Sequence, residues 1–406
     1  MTVVIVGASV AGVRTAQALR SEGYTDRIVI VDREDELPYD KPPLSKALLS
    51  GASDADSIRL ITDDEIAETN LELLLGVEVT GVDLQNRSVD MADGTPLAYD
   101  DLVIATGADA RRGPWAPSAR IHVVRTLSDA RGLRADLDRG GPVVVIGSGF
   151  VGAEVAATAR GLGLEVHLVD MAMAPMGRAF TESVAHAFST LHADRGVQLH
   201  FGSGVDEIVE TDRGLVVRLT DGTQLSAATV VVGIGASPNT GWLGSSGLTL
   251  DDGVVCDEFL RAHGHEHVYA AGDVARWRSC SSGELVRAEH WTNAVDQARC
   301  VARNIVQPDS TQAYSAVEYV WTDQYDWKIQ VVGHHEGAAE VRTLGDPDDG
   351  RFAVLYGDDS GELIGAAIAN WPKALITARR GVAGGLDVAA AVRRLQPAVA
   401  ADAGEN

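Results

Sequence analysis

The chain has 406 residues, 45% of them hydrophobic, with 43 glycines and a formal net charge of −24. That length allows two or three domains with ample core, and the composition is that of a globular α/β protein rather than a disordered or fibrous one. The acidic balance excludes a nucleic-acid backbone as partner, no apolar run is long enough to span a bilayer, and the N-terminus enters a strand without a leader pattern, so a cytoplasmic protein is expected.

In chain order, the apolar strand Val3-Val4-Ile5-Val6 runs into the turn Gly7-Ala8-Ser9-Val10-Ala11-Gly12 and a helix, and the next strand, Ile28 to Val31, ends on Asp32. Short period-two strands follow: Val77 to Leu84 and Arg87 to Met91 flank Gln85-Asn86, and Asp93-Gly94 marks a hairpin. Leu102-Val103-Ile104 then leads into Ala105-Thr106-Gly107, and the Pro-bearing stretch Arg111 to Ser118 reads as a crossing between domains. The plan then repeats. Val143-Val144-Val145-Ile146 runs into Gly147-Ser148-Gly149-Phe150-Val151-Gly152, and the strand Val166 to Val169 ends on Asp170. Val205 to Val209 and Leu215 to Leu219 lead through Asp221-Gly222 to Val230-Val231-Val232 and Gly233-Ile234-Gly235. Further crossings are expected at Ala236-Ser237-Pro238-Asn239 and at Gln307-Pro308-Asp309-Ser310. The remainder reads as antiparallel strands (Lys328 to Val332, Val341 to Leu344, Phe352 to Tyr356, Leu363 to Ala369), a helix from Leu386 to Leu395, and a frayed tail, Pro397 to Asn406.

The two glycine-rich turns carry the chemistry. Each links a strand to a helix, and each is followed by an acid at nearly the same offset: 32 − 7 = 25 and 170 − 147 = 23. Glycines let the backbone turn sharply, approach a pyrophosphate and pack the helix on the strand; the helix N-terminus holds the phosphates and the acid accepts from a ribose hydroxyl. One such fingerprint is weak evidence. Two in one chain point to two dinucleotides bound together and electrons passed between them. The three cysteines, Cys256, Cys280 and Cys300, are widely spaced and give no metal-cage or iron–sulfur pattern and no CxxC dithiol.

Further markers are Pro38-Tyr39-Asp40-Lys41-Pro42-Pro43-Leu44-Ser45-Lys46, Ala105-Thr106-Gly107, Glu154 after the second fingerprint, Ala271-Gly272-Asp273, Asn293 with Gln297, and Trp321-Thr322-Asp323-Gln324-Tyr325. With them the chain resembles the glutathione-reductase-like flavoproteins that have two dinucleotide-binding domains. Within these it is most similar to ferredoxin reductases of the putidaredoxin reductase and biphenyl dioxygenase reductase type. The resemblance implies two Rossmann-like domains, for FAD and NAD, and a C-terminal α+β domain. The expected boundaries are 1–109 and 238–312 for the two parts of the FAD domain, 110–237 for the NAD domain and 313–406 for the last.

By that resemblance Gly7, Ser9 and Gly12 hold the FAD pyrophosphate, with Asp32 on the adenosine ribose, and Lys41, Ala105, Thr106 and Gly107 complete the FAD site. Lys46 lies beside the isoalloxazine ring, where a cation favours negative charge on the reduced flavin. Asp273 binds the ribityl chain or pyrophosphate, and Trp291 sits at the ring edge. Gly147, Gly149 and Gly152 hold the NADH pyrophosphate, and Gly235 belongs to the NAD site; Glu154 pairs with Lys46 near the docked nicotinamide, and the pair is the candidate catalytic set. On the residues alone, Lys46 could equally open a helix, Asp273 could cap one, and Trp291 and Trp321 could be core. Glu154 is different, because an unpaired carboxylate in an apolar helix is costly and demands a partner.

The chain departs from the family pattern at Ser9 (for glycine), at Lys41 and Asp109 (for arginine, with Arg111 and Arg112 as substitute cations) and at Trp371, after Asn370. Asp170, with no arginine directly after it, selects NADH over NADPH, with Arg178 as the one nearby cation. Disulfide reductases of this fold need a cysteine beside the flavin; Pro42-Pro43-Leu44-Ser45-Lys46 has none. Electrons are therefore expected to leave one at a time to a two-iron, two-sulfur ferredoxin that serves a haem monooxygenase or a ring-hydroxylating dioxygenase. Lys373, Arg379, Arg380, Arg393, Arg394 and Arg303 are candidate docking cations, and a monomer or weak dimer is expected. The alternatives are a rubredoxin reductase, an NADH oxidase, and a redox sensor like apoptosis-inducing factor.

Overall fold

The computed structural model describes residues 1–176, 180–280 and 283–396. They form two compact units, each built from separate stretches of chain: 1–111, 125–130 and 235–316 make the first, and 112–124, 131–234 and the chain from 317 onward make the second.

In the first unit a parallel sheet runs, in spatial order, Val268–Ala270, Asp101–Ile104, Thr2–Val6, Arg27–Asp32 and Leu71–Leu75. Val3, Val4 and Ile5 are fully buried, which is why this strand reads as an unbroken apolar run: a parallel sheet is covered on both faces. The helix Val10–Ser21 packs against the helix Trp291–Val306, so residues nearly three hundred positions apart close one layer. An antiparallel ladder of Val79–Asp83, Ser88–Met91 and Pro96–Ala98 is appended, and Ala108–Ala110 pairs with Ala236–Pro238.

The second unit repeats the plan. Its parallel sheet runs Gln198–Phe201, Val166–Asp170, Val143–Ile146, Thr229–Val232 and Ile121–His122, with an antiparallel ladder of Val205–Thr211, Gly214–Leu219 and Gln224–Ala227. To this the C-terminal sheet is joined, in the order Tyr319–Gln324, Trp327–Gly333, Leu363–Ala369, Arg351–Gly357 and Glu340–Asp346, all antiparallel. Phe180, Val184 and Phe188 pack with Phe352, Val354 and Tyr356 in one core, so the helix Glu182–Asp194 and the residues just before it are seated on the C-terminal sheet.

The expected C-terminal strands are present, and the last helix is Val388–Leu395, with Asp387 accepting from Ala390 N at 2.7 Å as its cap. A further helix, Pro372–Ala383, was not expected; Pro stands at its start, and it buries the small residues Ala374, Ala378 and Gly381 rather than a stripe of large apolar ones. The tail 397–406 lies outside the described residues. Among the described residues no helix is long and apolar enough to cross a membrane.

Candidate functional site

The two glycine turns have the same local geometry, nearly atom for atom. Gly7 (φ +112°) and Gly147 (φ +95°) sit in the left-handed region, and a Cβ on either would lie 2.3 Å from a carbonyl oxygen, of Ala105 and Gly233 respectively. A Cβ on Gly12 would come within 1.8 Å of Gly7 O, and on Gly152 within 1.9 Å of Gly147 O. The middle position is different. Ser9 (φ −87°, ψ −167°) and Gly149 (φ −68°, ψ −175°) are both extended, and a Cβ on Gly149 meets nothing within 4 Å. That open space, facing the N-terminus of a twelve-residue helix, fits a pyrophosphate, and it explains why serine is accommodated.

The two acids are placed alike as well. Asp32 Oδ2 accepts from Ala8 N at 2.5 Å and Oδ1 from Glu34 N at 2.8 Å. Asp170 Oδ2 accepts from Ser148 N at 2.6 Å and Ser148 Oγ at 2.7 Å, and Oδ1 from Ala172 N at 2.8 Å. Each carboxylate is thus oriented by the turn it serves.

In the first unit an open cleft begins at Gly7 and Ser9, passes Asp32, and is walled by Lys41, Ala105, Thr106, Gly107 and Asp273. Gly12 is buried and does not line the cleft. Lys41 Nζ donates to Glu34 Oε1 at 3.2 Å and sits 4.9 Å from the centre of the Tyr39 ring; burial lowers its ammonium pKa against the pull of Glu34. Asp109 is paired with Arg33 at 2.6 Å. Arg111 does not reach the cleft: its Nε donates to Ala236 O and Ser237 Oγ. Arg125 lines the cleft together with Lys41 and Arg33, and its Nη2 donates to Asp273 Oδ2 at 3.2 Å. No family marker in the sequence pointed to it, since it follows the domain crossing without a motif. Asp273 caps no helix, because a strand, Ala275–Arg278, follows it.

Lys46 and Trp291 meet around Asp40. Trp291 Nε1 donates to Asp40 Oδ1 at 2.7 Å, and burial raises the Asp40 carboxyl pKa against that hydrogen bond and the charges of Arg14 and Lys46. Lys46 also precedes a short helix, Ala47–Ser50.

In the second unit Glu154 is 4% exposed on the fingerprint helix Phe150–Gly161, and its Oε1 accepts from Thr322 Oγ1 at 2.7 Å. Thr322 belongs to the strand Tyr319–Gln324, which packs on that helix. In the sequence Thr322 stands out only as part of the family marker Trp321 to Tyr325. Met171 and Met173, after Asp170, are 76% and 80% exposed. Gly235 groups with the first unit, its carbonyl accepting from Arg111 N. Arg178 lies outside the described residues. Trp371 is core: it is buried beneath Arg351, whose guanidinium carbon stands 4.5 Å from the ring centre. Trp321 stacks on Tyr319.

Residues 1–298 match the family model for pyridine nucleotide-disulphide oxidoreductases, and 319–401 match a reductase C-terminal model. The chain belongs to the pyridine nucleotide-disulphide oxidoreductase family. It is 37% identical over 395 residues to the ferredoxin–NAD(+) reductase component of the anthranilate 1,2-dioxygenase system of Burkholderia cepacia, covering 94% of each chain. It is 36% identical over 384 residues to the rhodocoxin reductase of Rhodococcus erythropolis, covering 94% of this chain and 89% of the relative. The reductase in the covalent putidaredoxin reductase–putidaredoxin crystal structure superposes with a TM-score of 0.90 at 33% identity, over 95% of this chain and 94% of that one. As a family member the chain is an oxidoreductase with FAD and NADH as cofactors. The disulphide in the family's name has no counterpart at Pro42–Lys46; Cys256 is buried in the first unit's core and burial pushes its thiol pKa far up.

Proposed function

We propose that this chain is an NADH:ferredoxin oxidoreductase, taking hydride from NADH through FAD and delivering single electrons to a small two-iron, two-sulfur ferredoxin. That ferredoxin in turn serves a haem monooxygenase or a ring-hydroxylating dioxygenase, in the cytoplasm. The observation that carries the reading is full-length likeness to reductase components of oxygenase systems in a chain with no cysteine at Pro42–Lys46. Bound FAD supplies the change from a two-electron donor to a one-electron donor.

The chain's own part is binding, orientation and electrostatics. Gly7, Ser9 and Gly12 cradle the FAD pyrophosphate, Asp32 takes the ribose, and Lys41, Arg125, Asp273, Ala105, Thr106 and Gly107 line its path. Lys46 stands at the ring, set by Asp40 together with Trp291. Gly147, Gly149 and Gly152 cradle the NADH pyrophosphate, Asp170 takes its ribose, and Glu154 faces the nicotinamide. Docking of an acidic ferredoxin on so acidic a chain calls for a local basic face. Lys373, Ile376 and Arg380 are exposed at spacings of three and four along Pro372–Ala383, and Arg379, Arg393 and Arg394 are exposed nearby in sequence.

An anaerobic NADH titration tests the reading. One equivalent of NADH should bleach the bound flavin, and cytochrome c should then be reduced only when a two-iron, two-sulfur ferredoxin is added, at a rate that falls as salt rises. Fast oxygen consumption without any carrier would instead place the chain among NADH oxidases.

Coenzyme choice gives a second prediction. Asp170→Ala combined with Met171→Arg removes the ribose acceptor and adds a phosphate partner at an exposed position. The NADH:NADPH ratio of kcat/KM should narrow by about a hundredfold, on the order of 2.7 kcal/mol. An unchanged ratio would show that Asp170 does not read the ribose.

A further inference from the structure

Glu154 stands at the end of a buried line of polar side chains that crosses the second unit. Thr322 Oγ1 donates to Glu154 Oε1 at 2.7 Å, and Gln324 Nε2 donates to Thr322 Oγ1 at 3.3 Å. His192 Nε2 and Gln324 Oε1 are 2.9 Å apart, and His192 Nδ1 and the Tyr325 hydroxyl 3.0 Å. Thr322, Gln324 and His192 are each 0% exposed. Buried polar groups are kept only where they are satisfied, so their arrangement asks for a reason.

The donor and acceptor inventory gives the line a direction. A glutamine oxygen can only accept, so His192 carries its proton on Nε2; its Nδ1 is then an acceptor, and Tyr325 donates to it. Gln324 offers its amide hydrogen to Thr322, and the threonine hydroxyl is left with its own hydrogen for Glu154. The bonds from Tyr325 to Glu154 therefore all run toward the carboxylate, with the Gln324 amide also donating aside to Met176 Sδ at 3.5 Å, and bonds so aligned polarise one another. Burial brings the His192 pKa down to about 4, so the ring stays neutral and keeps the lone pair that Tyr325 needs. An amide passes no proton on without changing its tautomer, so Gln324 makes this a line that orients rather than one that conducts.

The backbone supplies a separate sign. Tyr325 is the first residue of the two-residue hairpin turn between Gln324 and Trp327, which are paired, and its φ is +56°. That place in a tight hairpin favours glycine or asparagine, and a tyrosine there is strained. Three contacts hold it: the hydroxyl on His192, the ring edge-on to the same imidazole at 5.3 Å, and the Arg195 guanidinium 5.2 Å from the ring centre. Strain retained at one residue of a buried network points to a use for that network.

We propose that Thr322, Gln324, His192 and Tyr325 are positioning residues that fix the Glu154 carboxylate in the orientation required for hydride transfer. The proposal deepens the functional reading and rests on the place given there to Glu154.

The test uses the flavin-loaded protein. Flavin reduction is followed by rapid mixing at saturating NADH, per bound flavin, for Glu154→Gln, Thr322→Val, Thr322→Ser and Gln324→Met. Glu154→Gln should be slowest. Thr322→Val should lose about tenfold in the limiting rate with little change in NADH dissociation constant, and Thr322→Ser, which restores the hydroxyl, should recover most of it. Gln324→Met, one link further away, should lose less than Thr322→Val. A second readout needs no turnover: nitrogen NMR of the His192 ring should show the Nε2–H tautomer alone in the parent protein and a mixture in Gln324→Met. A Thr322→Val rate equal to the parent's, with Glu154→Gln slow, would overturn the positioning role and leave the reading of Glu154 standing. A parent-like rate for Glu154→Gln would remove that reading and the proposal with it. A His192 ring with its proton on Nδ1 would overturn the direction of the line whatever the rates.

Discussion

Gly12→Ala should yield colourless protein, while Gly152→Ala should yield yellow protein that NADH no longer bleaches. Each added methyl would sit under 2 Å from the carbonyl oxygen of its own turn's first glycine. That oxygen belongs to backbone and cannot swing away as a side-chain tip could, so the turn or the helix start must shift. Overpacking of this kind typically costs 1–3 kcal/mol or more. Here the displaced atoms are those proposed to hold a pyrophosphate, so ligand affinity falls along with stability. The two turns lie in different units, so the losses should separate: retained flavin in Gly12→Ala below about a tenth of the parent's, and a KM for NADH in Gly152→Ala raised by about a hundredfold at normal flavin content. Flavin content after gel filtration and the bleaching titration read the two. Flavin lost equally from both variants would mean that the turns do not serve two separate ligands.

Acid should destabilise the second unit through His192 by about 3 kcal/mol between pH 6.5 and pH 4. The ring is fully buried and its pKa is about 4, against an ordinary 6.5. Between those values the unfolded chain carries a proton at this position that the folded chain does not. Stability therefore rises with pH across this window: the contribution is complete above about 6.5 and lost as pH falls toward 4. Protonation would also cost the Nδ1 acceptor that Tyr325 uses. His192→Gln keeps an amide donor and acceptor in the same space but does not titrate, so its denaturation midpoint should change less from pH 7 to pH 4.5 than the parent's does. Identical pH profiles for the two proteins would place the acid sensitivity elsewhere.

Much of this architecture is written locally. The glycine turns, the acid that closes each fingerprint, the hairpin dipeptides and four of the five strands of the C-terminal sheet depend on periods of a few residues, and those are legible in one sequence. What could not be read is what distance in the chain conceals. Glu154 demanded a partner, but the hydroxyl that meets it is 168 positions away, and no local pattern links the two. A cleft cation was looked for at Arg111 and Arg112, and Arg125 lines the cleft instead of them, because the chain leaves the first unit and briefly returns to it at 125–130, a detour invisible to composition. The helix Pro372–Ala383 escaped for another reason: its buried face is alanine and glycine, too small to give an apolar stripe. Trp371, which departs from the arginine of the family pattern, is buried in the core with the Arg351 guanidinium over its ring.

The scattered composition of the first unit sets an order of events during synthesis. Asp101–Ile104 is complete early, but the strand that covers its free edge, Val268–Ala270, and the helix that covers Val10–Ser21, Trp291–Val306, come far later. At ribosomal speeds the wait between residues 104 and 270 is roughly ten to thirty seconds. Meanwhile the nascent chain presents an apolar parallel edge of the sort that invites mispairing. The sheet spanning 121–232 is contiguous by contrast and needs nothing downstream to pair its strands. A chain cut short inside that stretch would have an uncapped sheet and only half of the cleft proposed to hold the flavin. Chaperone protection of the first hundred residues, and flavin loading only after about residue 306 has emerged, follow from the way the chain is threaded.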